Sequence, residues 1–183
     1  VFEANTVSLS FVVDGVALEG YPTDAVVDSV ITAPTAPKKE GYNFVDWYIQ
    51  GTNIAFNGKM PTADTVYEAR YTAGANTKVA IEVYTMNTAG AYEKTVTYTF
   101  GVTDTTTWIE PSTDLPGLTP NYEKSKLSDV VKADGTTVLA IYYDRDLYTV
   151  TWVVDGKETT DDVYYGAAIV VPAAPAKDGY TFT

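Results

Sequence analysis

Acid–base chemistry in this chain falls first to paired carboxylates, because its 183 residues include no histidine and no cysteine. The closest acidic pairs are Asp144 with Asp146 and Asp161 with Asp162. A glycosidase-type pair needs two carboxyls roughly 5–10 Å apart across a cleft, one of them with a raised pKa. One pair falls at a junction between repeated segments and the other in an expected loop, so both read as solvated surface charge. Without Cys or His there is no zinc site, thiol nucleophile or Ser-His-Asp triad. Calcium, which takes oxygen ligands, is the one cation worth considering, at Asp144 and Asp146, but no EF-hand spacing is present. The expectation is a protein with no catalytic residue, no metal and no cofactor.

The other side chains able to contact a ligand are aromatic: 15 Tyr, 6 Phe and 3 Trp. Tyr42, Phe44, Trp47 and Tyr48 form the densest cluster, which suits either a sugar-stacking platform or a small core. Alternation puts Tyr42 and Phe44 on one face, and Tyr180 and Phe182 repeat them later in the chain. Recurrence favours a core, so Phe11, Tyr42, Phe44, Trp47, Trp152, Tyr180 and Phe182 are expected inside. Trp108, within Thr105-Thr-Thr-Trp-Ile-Glu-Pro111, belongs to no repeated motif and lies in a loop-like stretch; it is the candidate ligand contact. Leu115-Pro-Gly-Leu-Thr119 reads as a loop, and Thr103 to Thr107 as a strand edge.

These residues must be carried by strands. Val, Thr and Tyr dominate, and they favour pleated, half-buried surfaces. Val7, Leu9, Phe11 and Val13 alternate with polar neighbours, as do Val79, Ile81 and Val83, and Val150, Trp152 and Val154. Asp14-Gly15, Asp134-Gly135 and Asp155-Gly156 are hairpin signals, and Asn87 to Gly90 reads as a hairpin loop. Helical candidates are weak: Ala25 to Ile31, and Tyr122 to Lys132 with Lys126 and Val130 four apart. The net charge of −12 and pI near 4.2 repel phosphate backbones and anionic bilayers, so neither nucleic acid nor a membrane surface is an expected partner.

Internal repetition organises the chain. Leu9-Ser-Phe-Val-Val-Asp-Gly15 matches Val150-Thr-Trp-Val-Val-Asp-Gly156. Pro34-Thr-Ala-Pro-Lys-Lys-Glu-Gly-Tyr-Asn-Phe44 matches Pro172-Ala-Ala-Pro-Ala-Lys-Asp-Gly-Tyr-Thr-Phe182. The offsets are 155 − 14 = 141 and 179 − 41 = 138, so the first copy is three residues longer between the blocks. A divergent copy lies between them, with Tyr143 following Tyr71 by 72 residues.

The order of strand, Asp-Gly turn, second strand, Pro-x-x-Pro, Gly-Tyr-x-Phe, Trp-Tyr and closing Tyr-x-Ala-x-Tyr resembles the Listeria–Bacteroides, or internalin-type B, repeat of bacterial surface proteins. The matching residues are Phe11, Asp14, Gly15, Pro34, Pro37, Gly41, Tyr42, Phe44, Trp47, Tyr48, Tyr67, Ala69 and Tyr71; Asp46 stands where the family usually has Gly. The middle segment is similar to mucin-binding-like repeats. The resemblance implies an α+β, β-rich fold of tandem small β-grasp-like units in an elongated array on the outside of a Gram-positive cell. The expected divisions are 1–5, the closing strand of a preceding repeat; 6–74, a first B-type repeat; 75–146, the mucin-binding-like repeat; and 147–183, a B-type repeat matched as far as Thr183. The implied function is non-enzymatic, a stalk or adhesin segment whose partners are neighbouring repeats. The competing reading is a module recognising a host glycan or glycoprotein. Val1-Phe-Glu-Ala-Asn5 resembles Val66-Tyr-Glu-Ala-Arg70, so the last copy is expected to be completed from outside, either by residues beyond Thr183 or by a head-to-tail contact with Val1 to Asn5 of another molecule, unless Val1 to Asn5 pairs within the first.

Overall fold

The computed structural model describes residues 3–176 and 178–181. Thirteen strands follow one another: β1 (Thr6–Val13), β2 (Val16–Ala17), β3 (Thr23–Val26), β4 (Tyr42–Ile49), β5 (Thr65–Ala73), β6 (Thr77–Met86), β7 (Tyr92–Gly101), β8 (Thr106–Trp108), β9 (Leu118–Pro120), β10 (Ser128–Val130), β11 (Thr137–Arg145), β12 (Leu147–Val154) and β13 (Lys157–Tyr164). They fall into two compact units. One comprises Val1–Thr77, Phe100–Thr105 and Val131–Thr136; the other comprises Lys78–Thr99, Thr106–Val130 and Thr137–Thr183.

In the first unit the sheet order is β2-β1-β5-β4, with β3 also on β1. β1 and β5 are parallel, Leu9 opposite Thr65 and Phe11 opposite Tyr67. A parallel pair requires a long crossover, and residues 27–64 supply it, β4 included. The alternating apolar face of β1 then points into a core of Val7, Leu9, Phe11, Trp47, Met60 and Tyr67. Phe11 is fully buried, edge-on to Tyr21, Trp47 and Phe56 and stacked on Tyr67 at 5.7 Å. Trp47 donates its indole N–H to the Pro34 carbonyl at 3.1 Å, so the ring is buried without an unmet donor.

The first hairpin explains the three-residue excess of this copy. Val12 pairs with Ala17, whereas Leu9 pairs with Thr23, so the register advances by three residues between β2 and β3. The counterpart hairpin β12–β13 runs without interruption from Leu147 opposite Tyr164 to Val154 opposite Lys157. Both turns place Asp at positive φ, 48° at Asp14 and 49° at Asp155, the backbone of a tight primed turn.

The second unit carries the sheet β7-β6-β11-β9, the pair β10–β8 and the hairpin β12–β13. Its central strands β6 and β11 are again parallel, with Thr137 opposite Val79 and Tyr143 opposite Thr85. The order hairpin partner, first strand, parallel strand, outer strand is thus the same in both sheets.

The expected α+β class is corrected to all-β, for the described residues contain no helix. At Ala25 to Ile31, Ala25 and Val26 finish β3, Asp28 turns the chain at φ 66°, and Ile31 N–H bonds to Gly58 O at 2.9 Å. Pro34 and Pro37 then hold the backbone extended. In place of the helix that a β-grasp would lay across the sheet, this segment packs Val27, Ile31, Ala33 and Ala36 against the core. At Tyr122 to Lys132, the Asn121 side chain accepts from Lys124 N–H at 3.0 Å and closes a turn, after which Ser128–Val130 pairs with β8. β-branched residues and an Asn-capped turn outweigh the single i,i+4 spacing.

Candidate functional site

The repeated strands meet through two junctions built from side chains and glycines, each within one compact unit. At the first, β5 ends at Ala73 and β6 begins at Thr77, leaving three residues between them. Gly74 N–H donates to Gly41 O at 2.7 Å, and Thr103 N–H donates to Gly74 O at 2.9 Å. The Thr103 hydroxyl donates to Gly41 O at 2.7 Å, so the 2.6 Å contact between Thr77 and Thr103 has the Thr77 hydroxyl as its donor. Both threonines are buried. Tyr42 adds a hydrogen bond to the Asp104 carboxylate; that bond first, and burial second, raise the phenol's pKa. The backbones approach so closely that a Cβ on Gly41, at φ +74°, would lie 2.6 Å from Ala133 Cα and O. Glycine is required there both by its conformation and by contact.

The second junction leaves only Asp146 between β11 and β12. Asp146 N–H donates to Gly117 O at 3.0 Å, and Tyr165 N–H donates to Asp146 O at 2.8 Å. Arg145 spans the joint: its Nε donates to Met86 O at 2.8 Å and its Nη1 to Tyr165 O at 3.0 Å. The Tyr165 ring lies directly over Gly117, where a Cβ would sit 1.9 Å from its Cδ1.

Asp144 and Asp146 are occupied by donors rather than turned toward each other. Asp144 accepts from the Tyr92 hydroxyl and from Asn121 Nδ2 at 2.7 Å, while Asp146 accepts from the Thr119 hydroxyl at 2.8 Å. Burial acts to raise the Asp144 pKa, but the Tyr92 and Asn121 hydrogen bonds and nearby Lys124 outweigh it and hold the carboxyl below its ordinary value. Asp161 and Asp162 stand on β13 and not in a loop. They accept from the Trp152 indole and the Thr149 hydroxyl, both at 2.8 Å. No group of three acidic residues able to hold a metal ion occurs among the described residues.

The structure separates the seven expected core aromatics. Phe11 and Trp47 are central to the first unit. Tyr42 is half-buried at the first junction. Phe44 is 41% exposed on the outer strand β4; a bulge between Phe44 and Asp46 brings it to the face of Trp47, where it touches Trp47 and Tyr71 outside the core cluster. Asp46 itself accepts from Trp47 N–H at 2.7 Å. Trp152 is half-buried, Tyr180 is 74% exposed, and Phe182 lies outside the described residues. Val1 and Phe2 also lie outside them; at Asn5 the carbonyl accepts from Val27 N–H at 3.0 Å, inside the first unit. Trp108 ends strand β8 rather than sitting in a loop, and is 70% exposed. Sequence reasoning missed Thr77, Thr103 and Arg145. Their types are unremarkable, and only the close approach at Gly41 and the one-residue joint at Asp146 reveal their role.

The two parallel-centred sheets share one strand order, and a family comparison finds a repeat in the same chain. The Listeria-Bacteroides repeat domain family matches residues 8–70 and 148–183, and the chain belongs to that family. Internalin H of Listeria monocytogenes is 26% identical over 172 residues, which is 91% of this chain and 18% of that protein. A relative from Evansella cellulosilytica is 26% identical over 194 residues, 99% of this chain and 28% of its own length. The chain thus spans less than a third of either relative. A solved structure, that of Mub-RV, aligns over 77% of this chain and 98% of its own with a TM-score of 0.26 and 16% identity.

Proposed function

We propose that this segment is a non-enzymatic spacer in a bacterial surface protein, exported beyond the membrane, in which ordered joints connect successive copies. Residues 6–74, 75–146 and 147–183 are its successive copies, and their natural partners are the adjoining repeats. The observation that carries this reading is the first junction, where two buried threonines and two glycines, Gly41 and Gly74, replace a linker. Small units that contact only their sequence neighbours transmit position along a chain when the joints are ordered. A flexible three-residue linker would not. The excess of carboxylates keeps such an array soluble and discourages collapse onto anionic envelopes.

The chain has no natural cysteine, so paired spin labels report directly on stiffness. Labels at Thr62→Cys and Lys157→Cys should give one narrow distance distribution by double electron–electron resonance. A broad, featureless distribution in a folded sample would overturn the spacer reading.

A further inference from the structure

The geometry points to a binding site for an uncharged pyranoside on the β8–β10 ribbon, centred on Trp108 and Tyr122. This site adds a function to the spacer reading and does not rest on it. Trp108 and Tyr122 are 70% and 58% exposed, and they flank an open hollow of about 400 Å³ completed by Glu110, Pro111, Leu127 and Ser128.

The platform is held in place by its own backbone. Ser128 is directly opposite Trp108 in the ladder, and Ile109 N–H donates to Leu127 O at 2.9 Å. Asn121 fixes the Tyr122 turn from three sides: its N–H donates to Tyr142 O at 2.7 Å, its amide donates to Asp144, and its carbonyl accepts from the Ser125 hydroxyl at 2.7 Å. A preorganised aromatic site binds without the cost of ordering its side chains. Nothing about the core needs Trp108 outside, since the first unit buries its tryptophan completely while this one ends a strand in solvent.

The polar groups name the ligand class. A pyranose offers a C–H face to an indole and hydroxyls at its rim. The Ser128 hydroxyl, across the ladder from the indole, can donate or accept, and Glu110, which has no salt-bridge partner among the described residues, accepts. Glu110 and a net charge of −12 oppose sialylated or sulfated sugars. A basic side chain or quaternary ammonium would also favour the carboxylate and the rings, but it would leave unused the Ser128 hydroxyl across from the indole, which a sugar hydroxyl would engage.

The test uses the full 183-residue chain and its three indole N–H resonances, with that of Trp108 assigned by its loss in Trp108→Phe. Lactose, cellobiose and N,N′-diacetylchitobiose are titrated alongside 3′-sialyllactose and tetramethylammonium. The expected result is a saturable shift of the Trp108 resonance with at least one neutral disaccharide. Affinity should fall at least tenfold in Trp108→Ala and severalfold in Ser128→Ala, and less than threefold in Glu110→Gln, which keeps a carbonyl acceptor. Unchanged melting temperatures would show that the variants remain folded. No shift with any neutral sugar, binding unaffected by Trp108→Ala, or a response only to tetramethylammonium that Glu110→Gln abolishes would each overturn the proposal.

Discussion

The first and last copies of the repeat open on nearly the same residues, Leu9-Ser-Phe-Val-Val-Asp-Gly15 and Val150-Thr-Trp-Val-Val-Asp-Gly156, yet they bury them differently. Leu9, Phe11 and Val12 are buried; Val150 and Trp152 are half-buried and Val153 is exposed. The less buried hairpin is the more completely paired, eight residue pairs in β12–β13 against six of β1 with β2 and β3, so backbone hydrogen bonding does not explain the contrast. The difference comes from what lies over it. In the first copy β5 pairs in parallel with β1, and Trp47 of β4 and Tyr67 of β5 close on Phe11. Among the described residues β12 pairs only with β13, and an open apolar hollow of about 530 Å³ lies beside Trp152, Val171 and Pro172. A hairpin with an alternating face specifies where a core belongs, and the crossover with its parallel strand makes the core.

That contrast can be broken most severely at Phe11. Phe11→Ala should destabilise the first unit by about 3–5 kcal/mol, the usual range for a buried aromatic truncation, read from urea unfolding monitored by the Trp47 indole resonance. Trp152→Ala should cost under about 1.5 kcal/mol, because its ring is already half in solvent. Equal costs would dissolve the comparison. It sharpens in the opposite direction if a second copy of residues 45–71 is appended after Thr183. Trp152 fluorescence should then shift to the blue, and Trp152→Ala should become as costly as Phe11→Ala.

The junctions come next in size. Gly41→Ala forces a methyl into the Ala133 backbone at a left-handed φ and should cost more than about 2 kcal/mol. Thr103→Val leaves the buried Thr77 hydroxyl without its acceptor and Gly41 O with only the Gly74 N–H, and should cost about 1–3 kcal/mol. Gly117→Ala meets a half-exposed ring that can swing aside, so its penalty should be smaller than that of Gly41→Ala despite the shorter contact.

The smallest effect is a titration. The Tyr84 phenol donates to Glu82 at 2.7 Å, and this hydrogen bond, followed by burial, pushes its pKa up to about 12. A group whose folded pKa lies above the unfolded value stabilises the fold fully below about pH 10 and loses that contribution as pH rises toward 12. Absorbance at 295 nm should therefore show a tyrosine fraction titrating after the exposed rings, with stability falling over the same interval. Tyr84→Phe should remove the late fraction.

Strands and turns were legible in the sequence because a period of two and Asp-Gly pairs act locally: β1, β6 and β12 begin as the alternation predicts, and Asp14 and Asp155 turn as expected. The helix was not. Ala25 to Ile31 carries no strong local signal, and its fate is decided by Gly58 and the prolines beyond it. Phe44 was misplaced because alternation gives a face and not a depth: it shares the face of Trp47 through a bulge, yet sits on the outer strand away from the core cluster. The junction was hidden for a different reason. Thr103 belongs to a polar run whose composition suits a solvated edge, and only contact with Gly41, 62 residues away, buries it.

Amide hydrogen exchange at the joints tests the ordered junction most directly. Gly74, Thr103, Asp146 and Tyr165 N–H groups bond across the two junctions at 2.7–3.0 Å. These amides should exchange as slowly as those of β5 and β11, with protection falling at Gly74 and Thr103 in Thr103→Val. Exchange at the rate of an unstructured chain while β5 and β11 stay protected would contradict an ordered joint and leave a string of independent repeats.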